Sequence, residues 1–135
     1  MKQNLKGSCL CGKVRFNFEG SLKRFFFCHC SYCQKGTGSA HVANLFSFDG
    51  SINWEEKKEV IFYRHEDTRH VRSFCKNCGS PLPTEVVENN MIKIPAGCLD
   101  TDFDMKPNAH IFCESKAFWE HDLDKVKRFK KYPEN

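Results

Sequence analysis

Seven of the nine cysteines of this 135-residue chain fall in three tight clusters. They are Cys9-Leu10-Cys11-Gly12, Cys28-His29-Cys30-Ser31-Tyr32-Cys33 and Cys75-Lys76-Asn77-Cys78-Gly79. Thiolates at such spacings are metal ligands, and an odd number of cysteines in clusters suits bound zinc better than a disulfide framework. In an extended segment residues i and i+2 point the same way, so Cys9 and Cys11 can offer two sulfurs to one ion while Leu10 faces away. The same argument holds for Cys28 and Cys30. A C-x-x-C followed by glycine is a knuckle, in which Gly79 can take the positive φ that the turn requires.

Ligand counting then divides the sulfurs. Cys75 and Cys78 form half of a tetrahedral site, and Cys9 with Cys11 supplies the other half without splitting a cluster, which predicts a four-thiolate structural zinc. Cys28, Cys30 and Cys33 remain as a three-ligand set, the arrangement expected of a catalytic zinc with an open position. Two alternatives stay open at this level: Cys98 or Cys113 completes a closed second site, or the middle cluster shares ligands with the first ion. His29 alternates away from the sulfurs and is expected to be a surface or hydrogen-bonded residue. His41, His65, His70, His110 and His121 have no metal-type spacing among themselves and are read as structural. Cys98 and Cys113, being isolated, are read as small core residues.

The elements that must position these clusters are mostly strands. From Lys13 to Glu19 the chain alternates strictly, with Val14, Phe16 and Phe18 on one side and charged or polar residues on the other. Shorter strand-like runs follow at Arg24 to Cys30, His41 to Phe48, Val60 to Arg64, His70 to Phe74, Leu82 to Val87, Met91 to Ile94 and His110 to Cys113. Helix is confined to one turn over Ser31 to Gly36 and a short segment over Asp122 to Lys131 with Leu123, Val126 and Phe129 or the Lys130 stem inward. Asp100 to Asn108 is expected to be a surface loop whose acidic residues are solvated turn formers. The expected fold class is therefore mainly β with little helix, in a single domain over residues 1–135.

Composition agrees. Forty per cent apolar residues, with thirteen Phe, two Trp and three Tyr, can build one core despite a mean hydropathy of −0.57. No stretch approaches the roughly 18 apolar residues of a membrane span, and the N-terminus lacks the apolar run of a signal peptide, so no membrane association and a cytoplasmic location are expected. The formal charge of +4 falls to about +1 when seven sulfurs ionise around two zinc ions. That balance is too slight to call for nucleic acid, and the basic run Lys125, Lys127, Arg128, Lys130, Lys131 reads as a solvated face.

In their surroundings the clusters resemble the family of glutathione-dependent formaldehyde-activating enzymes and centromere protein V domains. Five stretches carry the likeness in order along nearly the whole chain: Gly7 to Val14, Cys28 to Ala40, Phe74 to Leu82, Ala96 to Asp100 and His110 to Trp119. The resemblance implies an Mss4-like fold, a structural zinc at Cys9, Cys11, Cys75 and Cys78, and a catalytic zinc at Cys28, Cys30 and Cys33. Two positions depart from it: Cys98 stands where Thr is usual, and Cys113 where an aliphatic or small residue is usual.

An open zinc can hold a substrate thiol beside a carbonyl, so the resemblance implies a carbon-sulfur lyase acting on thiol adducts of small aldehydes, with a glutathione-type substrate. Three thiolates make the site anionic, which calls for a nearby cation or hydrogen-bond donor. Lys35, His110, Lys116 and Trp119 lie in the matching stretches and are candidates for a pocket that accepts a carboxylate-bearing substrate, although Trp119 reads rather as core. Two further classes remain open: a non-catalytic zinc-binding interaction module that uses the basic tail, and a thiol redox sensor built on Cys98 and Cys113.

Overall fold

The computed structural model describes residues 1–133. Its eleven strands are β1 (Lys2–Ser8), β2 (Arg15–Ser21), β3 (Arg24–Cys28), β4 (Val42–Ser47), β5 (Ser51–Glu56), β6 (Val60–Arg64), β7 (Val71–Cys75), β8 (Pro81–Leu82), β9 (Thr84–Val86), β10 (Met91–Pro95) and β11 (Ala109–Ile111). One α-helix, α1 (Ser31–Thr37), and short 3-10 turns complete the described residues. The fold is mainly β, as the alternation and turn pattern predict.

The strands form three sheets, ordered β1-β2-β5, β11-β3-β4-β10-β9 and β6-β7-β8. All pairs are antiparallel except β11 with β3, which run parallel. The expected inward face is realised, since Phe16 and Phe18 of β2, with Val14 just before it, are buried and join Leu5, Leu45 and Ile94 in the core. Burying such side chains stabilises the domain by about 1.5–3 kcal/mol each. The flanking strands β1 and β5 are absent from the sequence reading. Each has few inward apolar residues, and β2 recruits them through main-chain hydrogen bonds that leave little trace in side-chain pattern.

The register decides one glycine. Gly7 stands opposite Phe16, and a Cβ at Gly7 would lie 2.1 Å from Phe16 Cζ and 2.7 Å from the Cys98 carbonyl oxygen. The aromatic ring thus occupies the space that any side chain at position 7 would need.

Two local expectations are corrected. Strand β3 ends at Cys28 rather than Cys30, because Cys30 serves as the N-cap of α1. The segment from Asp122 onward has a 3-10 turn at Leu123–Lys125 but no α-helix among its described residues. Leu123, Val126 and Phe129 are 46%, 58% and 55% exposed, and so short a helix lacks the tertiary packing that would stabilise it. The Asp100 to Asn108 loop is more anchored than expected: Asp100 accepts a 2.6 Å hydrogen bond from Ser8 Oγ, and Phe103 and Met105 pack against the core.

Candidate metal centres

The first cysteine group joins two turns that the sheets bring face to face. At the end of β1 the chain reverses through Cys9 to Gly12: Gly12 N–H donates to the Cys9 carbonyl at 3.1 Å, and Cys9 N–H donates to Val14 O. The segment is a tight turn, not the extended stretch expected, yet Leu10 still points outward, 90% exposed. At the end of β7, Gly79 N–H donates to the Cys75 carbonyl at 2.8 Å, closing the knuckle. Gly12 and Gly79 sit at φ +80° and +76°, a conformation that strains any residue with a Cβ.

Cys9, Cys11, Cys75 and Cys78 then present sulfurs that all lie within 4.8 Å of one another. Cys9 Sγ and Cys11 Sγ are 3.5 Å apart, and Cys11 Sγ and Cys75 Sγ 3.9 Å. A tetrahedral ion with 2.3 Å bonds to sulfur needs edges of roughly 3.8 Å, whereas a disulfide needs about 2.05 Å. The spacing therefore matches a shared ion and not a bridge. Val14 N–H donates to Cys9 Sγ at 3.3 Å, and the Ser80 hydroxyl stands 3.2 Å from Cys78 Sγ. The Ser80 contact is the main reason that the Cys78 thiol is pulled down to about 5, toward the thiolate a metal requires.

The second group lies at the junction of β3 and α1. Cys28 ends the strand, Cys30 caps the helix and Cys33 sits in its first turn, with all three sulfurs within 4.8 Å of one another. Cys33 N–H donates to Cys30 Sγ at 3.3 Å. The Cys28 thiol is pulled down to about 6, chiefly by its hydrogen bond with Cys33, whose own thiol is pushed up by the same contact. Among the described residues no fourth Cys, His, Asp or Glu joins this trio. Cys98 is buried, where loss of solvent pushes its thiol up to about 12, and Cys113 is exposed on a 3-10 turn rather than in the core.

The cation that three thiolates call for is supplied from β10, by a residue the sequence reading missed. Lys93 borders the same cavity as Cys33, together with Asn44, His70 and Arg72. Its Nζ donates to the Val71 carbonyl. Burial lowers the Lys93 pKa, while the nearby sulfurs of Cys33, Cys28 and Cys30 work in the opposite direction. Asn44 is 5% exposed, and its Oδ1 has no hydrogen-bond partner. A cleft alongside is lined by Tyr32, Lys35, His65, His70 and Arg72, sharing the last two with the cavity.

Of the proposed pocket residues, only Lys35 lies in that cleft. His110 stands with His29 instead, and Lys116 is solvent-exposed. Trp119 is 53% exposed and outside the core expected for it. His29 is correctly expected to be hydrogen-bonded, but it is buried rather than superficial: 1% exposed, with Nε2 2.8 Å from His110 Nδ1.

Comparison with known proteins shows the family and the fold. A protein of Halomonas elongata, named only provisionally as a glutathione-dependent formaldehyde-activating enzyme, is 28% identical over 123 residues, covering 85% of this chain and 78% of that protein. A crystal structure of a Rhodobacter sphaeroides protein superposes with a TM-score of 0.55 at 20% identity, covering 78% of this chain and 99% of the other, which shows a shared fold. The family profile described as glutathione-dependent formaldehyde-activating enzyme matches residues 4–115, a span that contains all seven clustered cysteines, and the chain accordingly belongs to that family.

Proposed function

We propose that this chain is a carbon-sulfur lyase that reversibly adds a glutathione-type thiol to a small aldehyde, at a zinc ion held by Cys28, Cys30 and Cys33. A second zinc, enclosed by Cys9, Cys11, Cys75 and Cys78, ties the β1 turn to the β7 knuckle. The observation that carries the reading is a three-sulfur set, without a fourth side chain among the described residues, beside a cavity lined by Lys93 and Asn44.

A zinc with a vacant position would stabilise the substrate sulfur as thiolate. In the addition, a carbon–sulfur bond forms, the carbonyl π bond breaks, and the thiol proton ends on the new hydroxyl oxygen. The Lys93 ammonium offsets the negative charge of the sulfurs and favours the developing alkoxide. The Asn44 amide, its oxygen unpaired within the protein, offers a hydrogen-bonding group for the hydroxymethyl product. Lys35 and Arg72 in the adjoining cleft suit the carboxylates of the thiol substrate, Arg72 by a bidentate contact.

Nuclear magnetic resonance exchange spectroscopy of glutathione with formaldehyde tests this directly. Wild-type protein should accelerate exchange between the free thiol and its hydroxymethyl adduct, and Cys30→Ser should abolish the acceleration. No acceleration by zinc-loaded wild type, or equal acceleration by Cys30→Ser, would refute the assignment.

A further inference from the structure

His29, which lies between two of the three cysteines in sequence, belongs to a cluster that the function proposed above does not use. His29 follows β3, His41 precedes β4 and Glu120 lies in the C-terminal segment, yet one ligand atom from each falls within 4.8 Å of the other two. His29 Nδ1, His41 Nδ1 and Glu120 Oε2 are all sealed from solvent and all lack a hydrogen-bond partner. His29 Nδ1 and Glu120 Oε2 are 3.0 Å apart without the alignment of a hydrogen bond. From these juxtaposed donors we infer that His29, His41 and Glu120 form a third metal site, for a divalent transition ion, distinct from the cysteine groups.

Unpaired buried polar atoms are costly, at about 1–3 kcal/mol each. Three residues that each carry such an atom, and whose ligand atoms meet within 4.8 Å, call for a common partner. A proton can join only one pair and leaves the third atom unsatisfied, whereas a cation satisfies all three. The outer contacts favour the same answer. His29 Nε2 meets His110 Nδ1 at 2.8 Å; when His29 donates that hydrogen bond, its Nδ1 carries a lone pair facing a carboxylate oxygen, an arrangement stabilised by a cation between them. An imidazole whose second nitrogen is engaged in this way is the usual form of a metal-binding histidine.

The rings are also held in place. His41 stacks on Phe27 with centroids 4.5 Å apart at 22°, and His110 meets the same ring edge-on at 5.2 Å. The parallel pairing of β11 with β3, in which His110 stands opposite Phe27, and a 3.0 Å hydrogen bond from His29 N–H to the Ile111 carbonyl fix His110 beside His29. Two imidazoles and one carboxylate suit Zn²⁺, Co²⁺ or Fe²⁺ rather than Ca²⁺ or Mg²⁺, which prefer all-oxygen sites. Three protein ligands leave further coordination positions for water or a small anion.

Cobalt is the probe that separates this site from the thiolate groups, because Co²⁺ bound to sulfur shows strong near-ultraviolet charge-transfer absorption and Co²⁺ bound to nitrogen and oxygen does not. Full-length protein loaded with only two zinc ions per chain, which the thiolate groups take first, should on titration with Co²⁺ take up one further ion per chain with weak visible d–d bands and no sulfur band. Glu120→Gln, nearly isosteric, and His41→Gln, on a different segment, should each weaken that uptake at least tenfold with far-ultraviolet circular dichroism unchanged. Uptake accompanied only by sulfur bands, no uptake, or uptake unchanged in both variants would overturn the site and leave the direct 3.0 Å contact of His29 with Glu120 as the account of the cluster. Loss of exchange activity at the cysteine zinc would not alter this readout.

Discussion

The sulfur of Cys30 accepts the backbone N–H of Cys33 at 3.3 Å, so one expected ligand caps the helix that presents another. This double role separates metal binding from local folding. Serine is among the best N-cap residues, so Cys30→Ser keeps the cap while removing a thiolate. That variant should retain its circular dichroism spectrum and melt within a few degrees of wild type, yet contain one zinc fewer by elemental analysis. Cys78→Ser should behave oppositely, because a structural zinc site contributes several kcal/mol or more of folding energy. Its thermal transition should collapse, and a fully metallated, stable Cys78→Ser protein would reject the division of sulfurs.

Two glycines offer a test of local mechanics. Gly79 has open space where a Cβ would stand, but its φ is +76°. Gly79→Ala should cost about 1–2 kcal/mol from left-handed strain alone. Gly7→Ala meets the Phe16 ring and the Cys98 carbonyl, and should cost more, with overpacking typically worth about 1–3 kcal/mol and a main-chain obstacle adding to it. Urea denaturation of the two variants, compared at equal zinc content, measures the order.

Lys93→Gln should leave zinc content and fold unchanged while lowering the exchange rate by about 10²–10³-fold, the usual range for removing a charge-stabilising donor. The effect should appear mainly in kcat, since Lys93 acts on developing charge; Arg72→Gln should instead raise KM for the carboxylate-bearing thiol. Steady-state kinetics over a range of glutathione concentration distinguishes the two.

The isolated cysteines should differ in reactivity. Cys113 is exposed, while burial pushes the Cys98 thiol up to about 12 from an ordinary 9.0. In the folded protein at pH 8, iodoacetamide should label Cys113 within minutes and spare Cys98 until urea is added, as read by peptide mass spectrometry. The sign of the linkage follows: Cys98 contributes stability in full below pH 9, and that contribution is lost as the pH rises toward 12, because the unfolded thiol ionises first.

Much of the framework was written in local pattern. The alternation of Val14, Phe16 and Phe18 predicts an inward strand face, and they are indeed buried, because a strand's period of two needs no information from distant residues. Cysteine spacing likewise pointed to the two groups of sulfurs that the fold draws together, since ligands two or three residues apart are confined by the chain itself. Where only distant packing decides, pattern was silent or misleading. Strands β1 and β5 exist because β2 offers them hydrogen bonds, and the helix expected after Asp122 is missing among the described residues because no surface covers Leu123, Val126 and Phe129.

The cations and histidines show the same division more sharply. Lys93 lies sixty positions beyond Cys33 in the chain and borders its cavity only because β10 pairs with β4, while β4 pairs with β3. His29, His41 and Glu120 share no spacing and meet only after β3, β4 and the C-terminal segment have docked. Sequence by itself determined the strand faces and the knuckles, whose geometry is set by neighbouring bonds. Tertiary structure alone decided which charges and imidazoles converge, because convergence depends on sheet order and register, which bring together residues that the chain keeps far apart.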